Sequence, residues 1–220
     1  MAIQLQGSGG VIVGAGEEAS KPLHASIHPQ EGNGYRISAF TGIIGAALAA
    51  GSEVAQFRFV SGTKSFAVVR KVVCDGYAIV TAATAAGPQG FKLVPARAWT
   101  VAGSGGTRIV LTGDNAQMET ALANSQVSDA GIATTGALTS GTKTKDSTAI
   151  GQALYGIGTG ALTAYAAFMG SQPLMDANGG GQPLVLANNE GFTIDTTHTG
   201  LATLTYTTGF TIEWTEVTAF

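Results

Sequence analysis

What most limits the fold of this chain is a two-residue beat of apolar and polar side chains, clearest in Phe210-Thr211-Ile212-Glu213-Trp214-Thr215. An extended backbone sends Phe210, Ile212 and Trp214 to one face and Thr211, Glu213 and Thr215 to the other, the signature of a half-buried β-strand. Trp214 needs a covered surface, so this segment belongs in a sheet rather than in a trailing tail.

The same beat predicts strands at Tyr35 to Phe40, Glu53 to Val60, Ser65 to Val73, Gly76 to Ala82, Gly90 to Val101 and Arg108 to Thr112. Later strands are expected at Pro183 to Ala187, Phe192 to Thr196, Leu201 to Thr207 and Phe210 to Val217. Asp75-Gly76 marks a hairpin or a bulge. Pro95 has no N–H for a ladder and marks an edge or a bulge, with Arg97, Trp99 and Val101 keeping the parity of Phe91 and Leu93. Ile43 to Ala50 is alanine-rich enough for a short helix, although Gly42, Gly45 and Gly51 weaken it.

Nine or ten short strands separated by turn signals fit an all-β chain. Each half-apolar sheet must cover its inner face with another, so the expected fold is a two-sheet antiparallel β-sandwich, jelly-roll-like in strand count. The expected organisation is an irregular N-terminal arm over residues 1–34, with a short strand at Val11 to Val13, and a single sandwich domain over 35–220. A Gly/Thr-rich excursion is expected near residues 131–182.

Only 11% of residues are charged, against about 25% in an ordinary soluble domain. A weakly charged exterior suits a chain covered by copies of itself or by other proteins. The net charge of −3 provides no basic stripe for phosphates, so direct nucleic-acid binding is not expected. Cys74 alone cannot build a disulfide framework, and beside Val72 and Val73 it reads as a small buried hydrophobe. The first residues lack a secretion signal, so synthesis in a cytoplasm is expected. No charge falls between Asp146 and Asp176, but Gly151, Gly156, Gly158, Gly160 and Gly170 dilute that stretch far below a membrane span.

Catalytic patterns fail for stated reasons. Val11-Ile12-Val13-Gly14-Ala15-Gly16 with Ala19 imitates a dinucleotide-binding turn, yet Pro22, Pro29, Gly32 and Gly34 interrupt where the phosphate-facing helix would run. His24 and His28 are four apart, but no third ligand is at hand beyond Glu31 and the remote His198. Glu213 and Glu216 differ by an odd number of positions and so fall on opposite strand faces, as solvated residues or partners for a neighbouring subunit. There is no Gly-x-Ser-x-Gly elbow, and neither Gly103 to Gly106 nor Gly179 to Gly181 is followed by the helix and lysine of a phosphate cradle. Trp99, Trp214, Tyr35, Tyr77, Tyr155, Tyr165 and Tyr206 read first as core or subunit contacts and second as sugar-stacking surfaces. No catalytic, cofactor-binding or metal-ligating residue is assigned, and no enzyme activity is expected.

Taken together, Gln56-Phe57-Arg58-Phe59, Ala96-Arg97-Ala98-Trp99-Thr100, Gly103-Ser104-Gly105-Gly106-Thr107, Leu111-Thr112-Gly113-Asp114-Asn115, Ala187-Asn188-Asn189-Glu190-Gly191-Phe192 and Glu213-Trp214 resemble the jelly-roll head decoration, or cement, proteins of tailed bacteriophages. The resemblance covers most of residues 35–217 in style and order. It implies a homotrimer on the capsid exterior at local threefold positions, clamping the phage major capsid protein against internal DNA pressure. On that reading the arm and residues 149–170 make the intersubunit contacts. A tail or baseplate component and a carbohydrate-binding adhesion module are the alternatives.

Overall fold

The computed structural model describes residues 4–6, 12–14, 33–113, 116–118, 123–159, 168–178 and 180–219. Every regular element among them is a strand. Strands β1 (Gln4–Gln6) and β2 (Ile12–Gly14) pair only with each other. The succession then runs β3 (Asn33–Phe40), β4 (Glu53–Phe59), β5 (Phe66–Thr81), β6 (Gly87–Val101), β7 (Gly106–Arg108) and β8 (Val127–Ala133). It continues through β9 (Thr142–Lys145), β10 (Gly151–Ile157), β11 (Phe168–Met169), β12 (Gln172–Asp176), β13 (Leu184–Leu186), β14 (Glu190–Thr196) and β15 (Thr205–Val217).

Two antiparallel sheets pack into a sandwich. The larger runs β10-β6-β14-β4-β8-β7, with β9 also on β6; the smaller runs β11-β5-β15-β3, with β12 and β13 also on β5. The pairings are nested: β3 takes β15, β4 takes β14, β5 takes β11 to β13, and β6 takes β10. Successive members of this series alternate between sheets, which is the winding of a jelly roll. Strands β7 and β8 widen the larger sheet beyond β4.

Between the sheets lies a core whose aromatics fall into two groups. Trp214 of β15 stacks on Tyr35 of β3, with ring centroids 5.4 Å apart, and meets Phe57 of β4 edge-on at 5.0 Å, while Phe57 stacks on Phe192. At the other end Tyr77 stacks on Tyr206 at 4.4 Å, and Phe91 meets Phe210 edge-on. The alternation of Phe210, Ile212 and Trp214 places all three in this layer, as expected.

Several expectations change. Of the two alternatives expected at Asp75-Gly76 the structure has the bulge and not the hairpin, so the segments on either side form one strand, β5, with Gly76 at φ 136°, a conformation other residues rarely take. Those expected at Leu201 to Thr207 and Phe210 to Val217 likewise merge into β15, bulged between Gly209 and Phe210. The alanine-rich stretch after Gly42 forms no helix: Ile44 bridges Tyr206, and the chain turns with Ala47 at φ 59°. The strand expected at Arg108 to Thr112 lies earlier, at Gly106–Arg108.

Pro95 marks neither edge nor bulge. It sits in interior strand β6 at a seam where the neighbour changes from β10, paired up to Leu93, to β9, paired from Ala96; its carbonyl accepts from the Asp146 N–H at 2.9 Å. The missing N–H falls where no strand asks for it. Of the excursion expected near 131–182, the described residues include β9, β10, β11 and β12, which pair into the two sheets; residues 160–167 and 179 lie outside the described residues. Glu216 is not a solvated residue. It is fully buried and accepts hydrogen bonds from the Trp214 indole (3.1 Å), the Ser125 hydroxyl (2.6 Å) and the Gln126 N–H (3.0 Å), tying the chain before β8 to β15.

Replacing Trp214 by Ala removes the ring that joins both sheets and is expected to lower unfolding stability by about 3–5 kcal/mol. Leu154→Ala, at an exposed position, should stay within about 0.5 kcal/mol. Urea denaturation followed by tryptophan-independent far-UV signal measures both.

Candidate functional site

The densest polar constellation among the described residues lies on the side of the larger sheet turned away from the core. Phe192 and Ile194 of β14 point inward, so Thr193 and Asp195 point outward. Thr193 stands opposite Gln56 on β4 and Val94 on β6, and Asp195 opposite Glu53 and Lys92. The chain after β8 crosses this face, anchored by the Leu138 N–H to the Glu53 carbonyl (2.8 Å) and by the Gln56 amide to the Thr139 carbonyl (2.7 Å). It then delivers Lys143 and Lys145 from β9.

The charges interlock. Lys143 Nζ lies 2.8 Å from Glu53 Oε2, and both side chains are within 2% of complete burial. Lys145 Nζ lies 2.8 Å from Asp195 Oδ2 and 3.3 Å from Glu53 Oε1. Glu53 also accepts from Gln56 Nε2 at 2.6 Å and Ser140 Oγ at 3.0 Å. The Lys143 ammonium rests 4.2 Å from the centre of the Trp99 ring, a cation–π contact, and the Trp99 indole donates to the Val101 carbonyl. Trp99 is therefore buried outside the interlayer core. The register shift after Arg97, with Ala98 at φ 49°, breaks the parity with Phe91 and Leu93 that an unbulged strand would keep.

Burial pushes the Glu53 carboxyl upward, but the hydrogen bond and charge of Lys143, with Gln56 and Lys145, outweigh it and hold the group below its ordinary value. Burial works against the Lys145 ammonium too, and Asp195 and Glu53 overcome it, so that group is raised. Such a cluster adds little net stability relative to an apolar filling, yet removing one partner strands the other charge. Its chief consequence is positional: the placement of the strap over residues 134–150 brings Lys143 and Lys145 onto Glu53 and Asp195.

A second ion pair extends the pattern. Arg108 of β7 donates to the Asp129 carboxylate and to the Gly103 carbonyl. Gly131 beside it leaves the space that the guanidinium fills, since a Cβ there would collide with it. Burial raises the Asp129 carboxyl despite Arg108, Arg58 and Lys143 nearby. Arg97 forks between Asp146 and Glu190, but this pair is exposed and contributes little.

The residues singled out in the sequence do not converge. Gly16, Ala19, His24, His28, Glu31, Tyr165 and Gly179 lie outside the described residues. Gly14 ends β2, antiparallel to β1. His198 is at an exposed turn, 2.7 Å from the Thr197 hydroxyl. Gly103 to Gly106 leads into β7 rather than a helix. Glu213 pairs with Arg36 at 3.5 Å. Cys74 is buried against the Thr208 hydroxyl, and burial pushes its thiol up, away from a reactive thiolate. Tyr35, Tyr77, Tyr155, Tyr206, Trp99 and Trp214 are all within 2% of complete burial, so no sugar reaches their faces. Among the described residues no three His, Cys, Asp or Glu gather into a metal-holding group, and no helix is long and apolar enough to cross a membrane. A cleft of about 280 Å³ beside Tyr35, Arg70, Met118, Asn178 and Glu213 is separate from the charged cluster.

Sequence reasoning passed over Glu53, Lys143, Lys145 and Asp195. The signal was present: a chain so poor in charge places Lys143 and Lys145 two apart, and Asp195 on the polar parity of an otherwise apolar strand. Comparison with protein-family models, curated proteins and solved structures finds no match to this chain.

Lys143→Ala leaves Glu53 buried without its nearest charged partner and is expected to cost about 3–5 kcal/mol, whereas Lys143→Met, which fills the space, should cost less when paired with Glu53→Gln. The pH dependence follows from the depressed Glu53 value. Its contribution is in full force above the ordinary carboxyl value of 4.5 and is lost as pH falls through the lower folded-state value. Urea unfolding at a series of acidic pH values should therefore show a steeper loss in the parent protein than in Glu53→Gln.

Proposed function

We propose that this chain is a structural protein of a tailed-bacteriophage particle, a head decoration protein that associates with itself and binds the outer surface of the major capsid protein. The observation that carries this reading is where the sandwich leaves apolar surface. Most of its described aromatics are buried, yet Phe40 on edge strand β3 is 66% exposed, Leu154 on edge strand β10 is 54% exposed, and Ile150 just before β10 is 48% exposed. Sheet edges that carry large apolar side chains are surfaces for lateral contact, and a low charge density lets such surfaces approach without repulsion. The trimeric state and the capsid position rest on the sequence resemblance, with which a jelly-roll winding agrees.

The buried tryptophans count against a sugar-binding module. A tail or baseplate role would give rings or tubes in electron micrographs in place of discrete trimers. Light scattering of the purified chain is expected to give three times the chain mass, and the protein should co-sediment with undecorated phage heads. Deletion of residues 2–30 should keep the far-UV signature of a β protein and abolish co-sedimentation. A monomer with no affinity for heads would overturn the proposal, and normal binding by the truncated chain would overturn the assignment of the arm.

A further inference from the structure

We propose that Lys145 and Asp195 condense into an intramolecular amide cross-link, with Glu53 relaying the proton, so that the strap over the larger sheet is fastened covalently. The three groups already stand in reacting order: Lys145 Nζ is 2.8 Å from Asp195 Oδ2 and 3.3 Å from Glu53 Oε1. Holding nucleophile and electrophile at contact distance replaces a bimolecular encounter with an intramolecular one.

The two carboxyl groups are environmentally unequal, which assigns their roles. Both oxygens of Glu53 are occupied, Oε1 by Ser140 and Lys145 and Oε2 by Gln56 and Lys143, so this group is held as the anion and serves as the base. Asp195 is the opposite case: its side chain is 3% exposed, Oδ2 meets Lys145, and Oδ1 is buried with no hydrogen-bond partner. A buried carboxylate with one oxygen left without a partner is costly, and conversion to the amide relieves that cost. Thr193, Val94 and Ala96, all buried, lie on the strands beside Asp195, so the carboxyl end of the pair is kept from water while the Lys145 side chain stays 31% exposed.

The condensation balances without an oxidant or a co-reactant. One proton passes from the Lys145 ammonium to Asp195, leaving an amine and a carboxylic acid. Both carboxylates favour the ammonium, so this uncharged pair is the minor form through which the reaction runs. The amine nitrogen attacks Asp195 Cγ; Glu53 accepts the remaining surplus nitrogen proton and passes it to the departing hydroxyl. The Cγ–O bond breaks, the Nζ–Cγ bond forms, and water leaves. One positive and one negative charge disappear from a buried site, and β9 becomes joined to β14 across β6.

Intact mass spectrometry of the purified, fully denatured chain tests this. The expected mass is that of the sequence less one water, and proteolysis should yield a branched peptide joining the Lys145 and Asp195 segments. Lys145→Arg keeps the positive charge and should restore the full mass. Asp195→Asn keeps an electrophile and should lose ammonia in place of water. Glu53→Gln should remain folded by far-UV signal while the cross-link forms slowly or not at all. A parent chain of full sequence mass after prolonged incubation at neutral pH overturns the proposal, as does a water loss that survives Lys145→Arg. The observation is independent of the decoration reading: mass decides the cross-link, and co-sedimentation with phage heads decides the partner.

Discussion

Everything in this sandwich depends on β15 lying between β3 and β5. That strand carries Trp214 into contact with Tyr35 of its own sheet and Phe57 of the other, so a single indole reports on the registration of both layers. Its thirteen residues pair with β5 over most of their length and absorb the mismatch through bulges beside Gly209 and Glu213. The late position of β15 makes the pairing strongly non-local. A winding in which early strands wait for late ones folds slowly, because loop entropy must be met before the contacts form.

The polar side of the structure is organised by a different rule. In a chain with so few charges, Glu53, Lys143, Lys145 and Asp195 are concentrated under one strap, with Arg108 and Asp129 beside it. Ion pairs of this kind discriminate among placements more than they stabilise any one of them. The strap is held by Leu138 in the core, by backbone bonds and by the pairing of β9 with β6, and charge matching adds to these.

What the sequence made legible follows from how each residue signals. Phe210, Ile212 and Trp214 announced their strand because a period of two has one physical reading, and the same holds for Phe57 with Phe59 and for Phe91 with Leu93. Val127 to Ala133 gave no such signal: Ser128, Asp129 and Gly131 interrupt its apolar residues, and the strand exists because β4 and β7 supply ladders on both sides. The alanines after Ile43 favoured a helix locally, but the bridge from Ile44 to Tyr206 overrode that propensity. Glu216 looked solvated because a lone carboxylate gives no hint of the Ser125 and Gln126 donors that reach it from distant positions, to which Trp214, two residues before it, adds its indole N–H. The charged cluster was hidden for the same reason, its members being separated by up to 142 positions between Glu53 and Asp195.

Pairing of Asn33 with Glu216 places the entrance and the exit of the sandwich side by side on one rim. A tension applied through these two points would open the β3–β15 ladder like a zipper, one rung at a time, rather than shearing all its rungs together. The molecule is thus mechanically soft along that axis and stiff across its faces. Any load-bearing duty is better carried through the flanks of the sheets than through the chain ends.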